Sequence, residues 1–236
     1  MTKALYLEDS YLKECDATVI SSKDNKFITL DQTVFYPRGG GQPYDTARIV
    51  RESEEFNVLS IQKSSGEIFH ETDRPGLNPS EEVHCILDWD RRYKLMRSHT
   101  AAHVLAMLLS QKTGALITGN QLETDQTRFD FNLENFDRDV FLSCIADAND
   151  LFKQDIPVRW YELPREEALK IPTITRLANV LPPNIPLLRI VEIVGYDKQA
   201  DGGTHVKTLR EVGRIEFLKA ENKGKNNRRV YCRLSD

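Results

Sequence analysis

The sequence predicts an α+β protein, a small N-terminal β-barrel followed by an α+β domain with an antiparallel sheet. Three observations carry that expectation. The first third holds many short apolar runs with no helix between them, the signature of a small barrel. A helix-length segment opens at about residue 90. Beyond it, helical and strand-like runs are mixed. The expected domains are therefore 1–88 and 89–236.

In the barrel region, ATVISS (17–22) and KFITL (26–30) flank a turn at Asp24–Asn25. TARIV (46–50), FNVLSI (56–61), EIFHE (67–71) and EVHCIL (82–87) follow, each bounded by Gly, Pro, Asn or Ser. The long helix is RRYKLMRSHTAAHVLAMLLSQKTG, closed by Lys112 and Gly114. A second helix is expected over 137–153, with Val140, Cys144, Ile145, Ala148, Leu151 and Phe152 on one face. Strands are expected at 158–163, 187–194 and around 205–212, and in a last hairpin, RIEFLK…RRVYCRL, with the polar tip NKGKNNRR.

Of 236 residues, 40% are apolar and 29% charged, with a net charge of −4, which suits a soluble globular protein and excludes a polycation. Any nucleic-acid contact must come from a local basic surface. One stretch offers it: 219–233 carries six basic residues against one acid, Glu221. Arg91, Arg92, Lys94 and Arg97 open the long helix and form a second candidate. No apolar run approaches the roughly 20 residues of a bilayer crossing. The acidic N-terminus does not read as a signal peptide, so a cytoplasmic location is expected. The four cysteines are scattered without a CxxC, which argues against disulfides and a zinc ribbon.

The chemistry-bearing residues are histidines, of which the chain has five. His99 and His103 in RSHTAAHVL lie one helical turn apart on one face, so both imidazoles can reach a single ion. They sit among Ala101, Ala102, Val104 and Leu105, where ring nitrogens need partners. Without a metal they read as core histidines bonded to carbonyls. The pattern is not HExxH, because Thr100 follows His99. His205, in QADGGTHVKTLREVG, stands on a Gly-Gly turn with Asp201 four residues before it. This second site supplies what the helical pair lacks. Three ligands with an open position suit a catalytic zinc, and a closed set suits a structural one.

SHTAAHVL, YPRGGGQPYD (36–45) and QADGGTHVKTLREVG, with GNQLETDQTRFDF (119–131) and ENKGKNNRRVYCRL (221–234), together resemble the AlaX proteins, free-standing editing factors related to the editing domain of alanyl-tRNA synthetase. The resemblance covers nearly the whole chain and is closest to the medium-length class. It implies a translation-factor-like barrel, an editing domain with one Zn2+, and hydrolysis of serine or glycine from the acceptor end of tRNA(Ala). It places His99, His103 and His205 at the metal. Asp201 stands where the synthetase pattern has cysteine; it could ligate the ion, orient a ligand or hold a water.

Rejecting alanine requires a site that hydrogen-bonds the serine hydroxyl. Thr100 and Asn120 are the candidates, and the resemblance adds Gly39, Gly40, Gly41 and Gln42 as a loop beside the editing pocket. That loop is no P-loop, since no GK[ST] follows. For tRNA, the candidates are Arg91, Arg92, Lys225, Arg228 and Arg229. Two other readings stay open: a tRNA-binding module with a degenerate metal site, and a metal-dependent esterase for another aminoacyl-tRNA or small ester.

Overall fold

The computed structural model describes residues 2–24, 26–174 and 185–235. The chain divides into two compact units, Met1–Lys94 and Leu95–Asp236, and the division falls inside the long helix.

In the first unit, β1 (Lys3–Ala4) and α1 (Leu5–Glu8) precede β2 (Glu14–Lys23) and β3 (Phe27–Leu30). Asp24, at φ 52°, starts the turn between those strands, and Asn25 lies outside the described residues. After β4 (Gln32–Thr33) come β5 (Ala47–Arg51), β6 (Glu54–Ser64), β7 (Glu67–Thr72) and β8 (Glu82–Leu87). Six of these strands close a barrel in the order β2-β3-β7-β6-β5-β8, with every pairing antiparallel. Closure leaves no unpaired edge. Alternation along β7 sends Ile68, His70 and Thr72 inward, where Ile68 joins Val19, Ile28, Leu30, Ile49, Phe56 and Ile61 in the core.

Gly39 and Gln42 close a two-residue turn through reciprocal backbone bonds of 3.1 and 2.8 Å. Gly40 (φ 56°) and Gly41 (φ 83°) hold the left-handed geometry such a turn requires. Gln42 is buried, and the Tyr36 hydroxyl donates to the Gly39 carbonyl at 3.0 Å.

The long helix, α2 (Trp89–Thr113), begins in the first unit. Asp88 caps it by accepting the Arg91 amide at 3.1 Å. Gly114, at φ 72°, stops it by donating to the Ser110 carbonyl. Arg92 corrects an expectation. Its guanidinium is fully buried, donating to Asp45 at 3.0 Å, to the Ser10 carbonyl at 3.0 Å and to the Val34 carbonyl at 2.7 Å. It is an internal structural cation and not a phosphate contact. A buried charge pair of this kind costs about 3–5 kcal/mol when one partner is removed.

In the second unit α2 is buried nearly all round, with apolar Leu95, Met96, Ala101, Ala102, Val104, Leu105 and Met107 beside polar Ser98, His99, Thr100 and His103. A four-stranded antiparallel sheet runs β14-β15-β10-β9, built from β9 (Ile117–Leu122), β10 (Thr127–Phe131), β14 (Arg214–Asn222) and β15 (Arg228–Ser235). α3 (Arg138–Leu151) is capped by Asp137, which accepts two backbone amides at 3.0 Å. Its buried face is Phe141, Cys144, Ile145 and Ala148, whereas Val140 is only half-buried. A second sheet, β11-β12-β13, uses β11 (Val158–Pro164), β12 (Leu187–Ile193) and β13 (Asp197–Ala200), with α4 (Arg165–Ala168) between the first two strands.

The strand expected around 205–212 is absent. Leu209–Val212 form a 3-10 turn, and Thr208 and Glu211 make a capping box at its start. One isolated bridge, Pro157 to Thr208, is all the sheet pairing this segment has among the described residues.

Candidate metal centre

Two elements of the second unit deliver the donor set. Helix α2 presents His99 and His103 from successive turns, and the loop after β13 presents Asp201 and His205. The four donor atoms lie within 4.8 Å of one another, which leaves room for one divalent ion. The ring centroids of His99 and His205 are 4.4 Å apart, those of His103 and His205 4.8 Å, and those of His99 and His103 5.1 Å. Asp201 bridges the two elements, with Oδ2 3.0 Å from His205 Nε2 and Oδ1 3.6 Å from His99 Nε2.

Only one of the two glycines in the loop is sterically required. A Cβ on Gly203 would overlap Cε1 and Nδ1 of the His99 ring and lie 2.9 Å from Asp201 Oδ2. The Gly203 amide donates to that same carboxylate oxygen at 2.6 Å and fixes its rotamer. A Cβ on Gly202 would meet nothing within 4 Å. Arg189 of β12 braces the loop from the other side, donating to the Asp201 and Gly203 carbonyls at 3.0 and 3.2 Å. Sequence reasoning missed Arg189. Its signal was a lone arginine within the apolar run LLRIVEIV.

The electrostatics favour cation binding. Burial pushes His103 down to about 4 and His99 well below the usual imidazole value, so both are neutral at pH 7. Burial works against the Asp201 carboxylate, but His99 and the bond from His205 hold its pKa well below the usual range. Neutral imidazoles and a carboxylate are the protonation states that metal ligation demands. Three nitrogens and one oxygen fit zinc.

Thr100, expected at the substrate, is fully buried beneath the cluster. Its hydroxyl oxygen lies 3.1 Å from His205 Nδ1 and accepts the Val206 amide at 3.3 Å. Asn120, expected at the substrate, is half-buried within β9, opposite Phe129. Gly39, Gly40, Gly41 and Gln42 form the tight turn of the first unit.

The basic stretch is more neutral than its local sequence. Arg229 donates twice to Asp130, at 2.7 and 2.9 Å; Arg233 pairs with Glu216 at 2.9 Å; Glu221 takes Lys219 and Lys223. Arg228 donates to Asn222 and to the Gly224 carbonyl at the hairpin tip, beside exposed Lys225. At the start of α2, Arg91 reaches the Tyr44 carbonyl at 3.4 Å, and Arg97 donates to the Val212 carbonyl at 2.9 Å.

A family model of class II (A) tRNA synthetases matches residues 8–91, which span the barrel. A model of the threonyl and alanyl tRNA synthetase second additional domain matches 188–231, which includes Asp201 and His205. The chain is 50% identical to the alanyl-tRNA editing protein AlaX-M of Methanosarcina barkeri, over the full length of both. It is also 50% identical to AlaX-M of Saccharolobus solfataricus, over 98% of each chain. Alanine–tRNA ligase of Pyrococcus furiosus is 39% identical over 93% of this chain, a match that spans 24% of that enzyme. By full-length identity and by both matching domains, the chain belongs to the AlaX-M family of alanyl-tRNA editing proteins.

Proposed function

We propose that the chain is a trans-editing hydrolase that removes serine, and also glycine, from mischarged tRNA(Ala). The observation that carries this reading is the cluster of His99, His103, Asp201 and His205 in a chain of this family. One Zn2+ is the proposed ion, with His99, His103 and His205 as its protein ligands and Asp201 bonded to His205 beside it, which leaves a position for water or the ester. When bound, it supplies Lewis acidity for an ester carbonyl and a lowered pKa for water.

The chain's own residues do the rest. His99 and His103 hold neutral nitrogens toward the ion, and Asp201 contributes the negative charge. Thr100 fixes the ring of His205: its hydroxyl lies 3.1 Å from Nδ1 and leaves Nε2 facing Asp201, and with an ion held at Nε2 the proton would sit on Nδ1 and be donated to the Thr100 hydroxyl. Hydrolysis adds water across the ester, releasing the free amino acid and regenerating the ribose hydroxyl. No covalent acyl-enzyme is required. Burial raises the thiol pKa of Cys144 and pushes that of Cys232 up to about 12, which makes both poor nucleophiles. Asn120 stays a proposed contact for the serine hydroxyl, and the Gly39–Gln42 turn a proposed determinant of amino-acid choice. Arg91, Lys225 and Arg228 are the proposed phosphate contacts for the acceptor end.

The test is deacylation of Ser-tRNA(Ala) by purified protein, with metal content measured on the same sample. One zinc per chain, activity lost to a chelator and restored by zinc support the reading. A metal-free protein that binds tRNA tightly without deacylating it overturns the reading.

A further inference from the structure

The sheet β11-β12-β13 has two unlike faces. Tyr161, Leu163, Leu188, Ile190 and Ala200 pack with Ala168 and Ile174 in a small core. The opposite face carries Trp160, then Arg189, then Asp197 and Gln199, as alternation along paired strands dictates. Arg189 joins that face to the metal loop through the Asp201 and Gly203 carbonyls. Its guanidinium carbon also lies 5.3 Å from the centre of the Trp160 ring, in a cation–π contact. Indole, guanidinium and ligand loop thus touch in succession. Yet Trp160 is 40% exposed, an uncommon position for the largest apolar side chain.

We infer that Trp160 is a stacking platform for the terminal base of the tRNA acceptor end, the base whose ribose carries the ester. This deepens the proposed function and rests on it. An indole held by a cation offers a flat, polarised face, and base stacking on an aromatic side chain is worth about 1–3 kcal/mol. The chemistry of the reaction requires such a neighbour. If the ester lies at the histidine cluster, the base attached to the same sugar must lie within one nucleoside of it. The Trp160–Arg189 pair, bonded to the ligand loop through Arg189, offers such a stacking face.

The chain has two tryptophans, Trp89 and Trp160, so a Trp89→Phe protein reports on Trp160 by fluorescence. An acceptor minihelix with its terminal adenosine should quench that emission, and the same helix lacking only that nucleotide should not. Trp160→Ala should raise KM for Ser-tRNA(Ala) about 5- to 150-fold, with zinc content unchanged and kcat less affected. Trp160→Phe should restore most of the loss. Equal quenching by both helices, or an unchanged KM in Trp160→Ala, overturns the inference while wild-type activity leaves the editing reading intact. A wild-type protein without deacylase activity overturns the editing reading itself.

Discussion

The hydroxyl of Thr100 lies 3.1 Å from Nδ1 of His205, joining helix α2 to the glycine-hinged loop beneath the ion-binding cluster. Thr100 is wholly buried, and its oxygen also receives the Val206 amide. We propose that a side chain so engaged positions His205 rather than contacting the substrate. Thr100→Val keeps the volume and removes the bond. Zinc affinity measured by chelator competition should fall about 10- to 100-fold, with Thr100→Ser restoring it. The selectivity for serine over alanine should stay at the wild-type ratio in whatever fraction remains loaded. A changed ratio at unchanged zinc affinity would return Thr100 to the substrate.

Gly203 makes a sharper case, because the space its Cβ needs is already filled by His99. Gly203→Ala must push the loop or the imidazole away, and Asp201 moves with the loop through its bond to the Gly203 amide. The variant should purify without stoichiometric zinc and should not deacylate. Gly202→Ala, one residue earlier, adds a methyl group in open space and should retain both, with stability within about 0.5 kcal/mol of wild type. Similar zinc content in the two variants would contradict the steric argument.

The cluster of His99, His103, Asp201 and His205 was legible in the sequence because its signals are local. An HxxxH pair puts two imidazoles on one face of a helix, and a Gly-Gly turn four residues wide brings an aspartate and a histidine together. The barrel was legible for the same reason, since alternation marks each strand by itself. What long-range pairing decides was not legible. Arg92 resembles its neighbour Arg91 in sequence, and Asp45, 47 residues away, makes it internal together with the Ser10 and Val34 carbonyls. Arg229 loses its apparent availability to Asp130 across the β10–β15 register. The strand expected around 205–212 failed on a local signal that was overlooked: Thr208-Leu209-Arg210-Glu211 is a capping box, and it starts a turn.

Gly41 adopts φ 83°, a conformation a β-branched residue reaches only under strain of about 1–3 kcal/mol. Gly41→Val should therefore reshape the turn that Tyr36 and Gln42 now hold. If this turn helps choose the amino acid, the ratio of Ser-tRNA(Ala) to Ala-tRNA(Ala) hydrolysis should drop about tenfold, equivalent to about 1.4 kcal/mol. Zinc content should not change. An unaltered ratio would confine the turn to a structural part in the barrel.

The terminal hairpin separates two kinds of cation. Arg229 is tied to Asp130 and serves the sheet, whereas Lys225 and Arg228 stand at the tip without a carboxylate partner among the described residues. Replacing Lys225 and Arg228 by Ala should weaken tRNA binding and lower the salt slope by about 1 for each phosphate left without its cation. Arg229→Gln should leave that slope alone and lower the unfolding temperature instead. Binding isotherms at several salt concentrations distinguish these outcomes, and an unchanged slope in the tip variant would remove the hairpin from the interface.

His70 gives the barrel a pH dependence of its own. It is fully buried, with Nδ1–H directed at the Ile28 carbonyl at 3.3 Å and Nε2 accepting from the Thr33 hydroxyl at 3.1 Å. Burial lowers its pKa from 6.5 to about 4, so the folded state holds the neutral ring and the unfolded chain takes up a proton first. The sign follows: the stabilisation is complete above pH 6.5 and is lost as pH falls toward 4. Over that window the loss from this residue approaches about 3 kcal/mol. His70→Gln keeps a donor and an acceptor but cannot titrate, so urea unfolding between near-neutral and mildly acidic pH should show a flatter decline than wild type. The other histidines are common to both proteins and cancel in the difference. Parallel declines would mean that His70 is protonated in the native barrel without penalty, contrary to the tautomer its two partners impose.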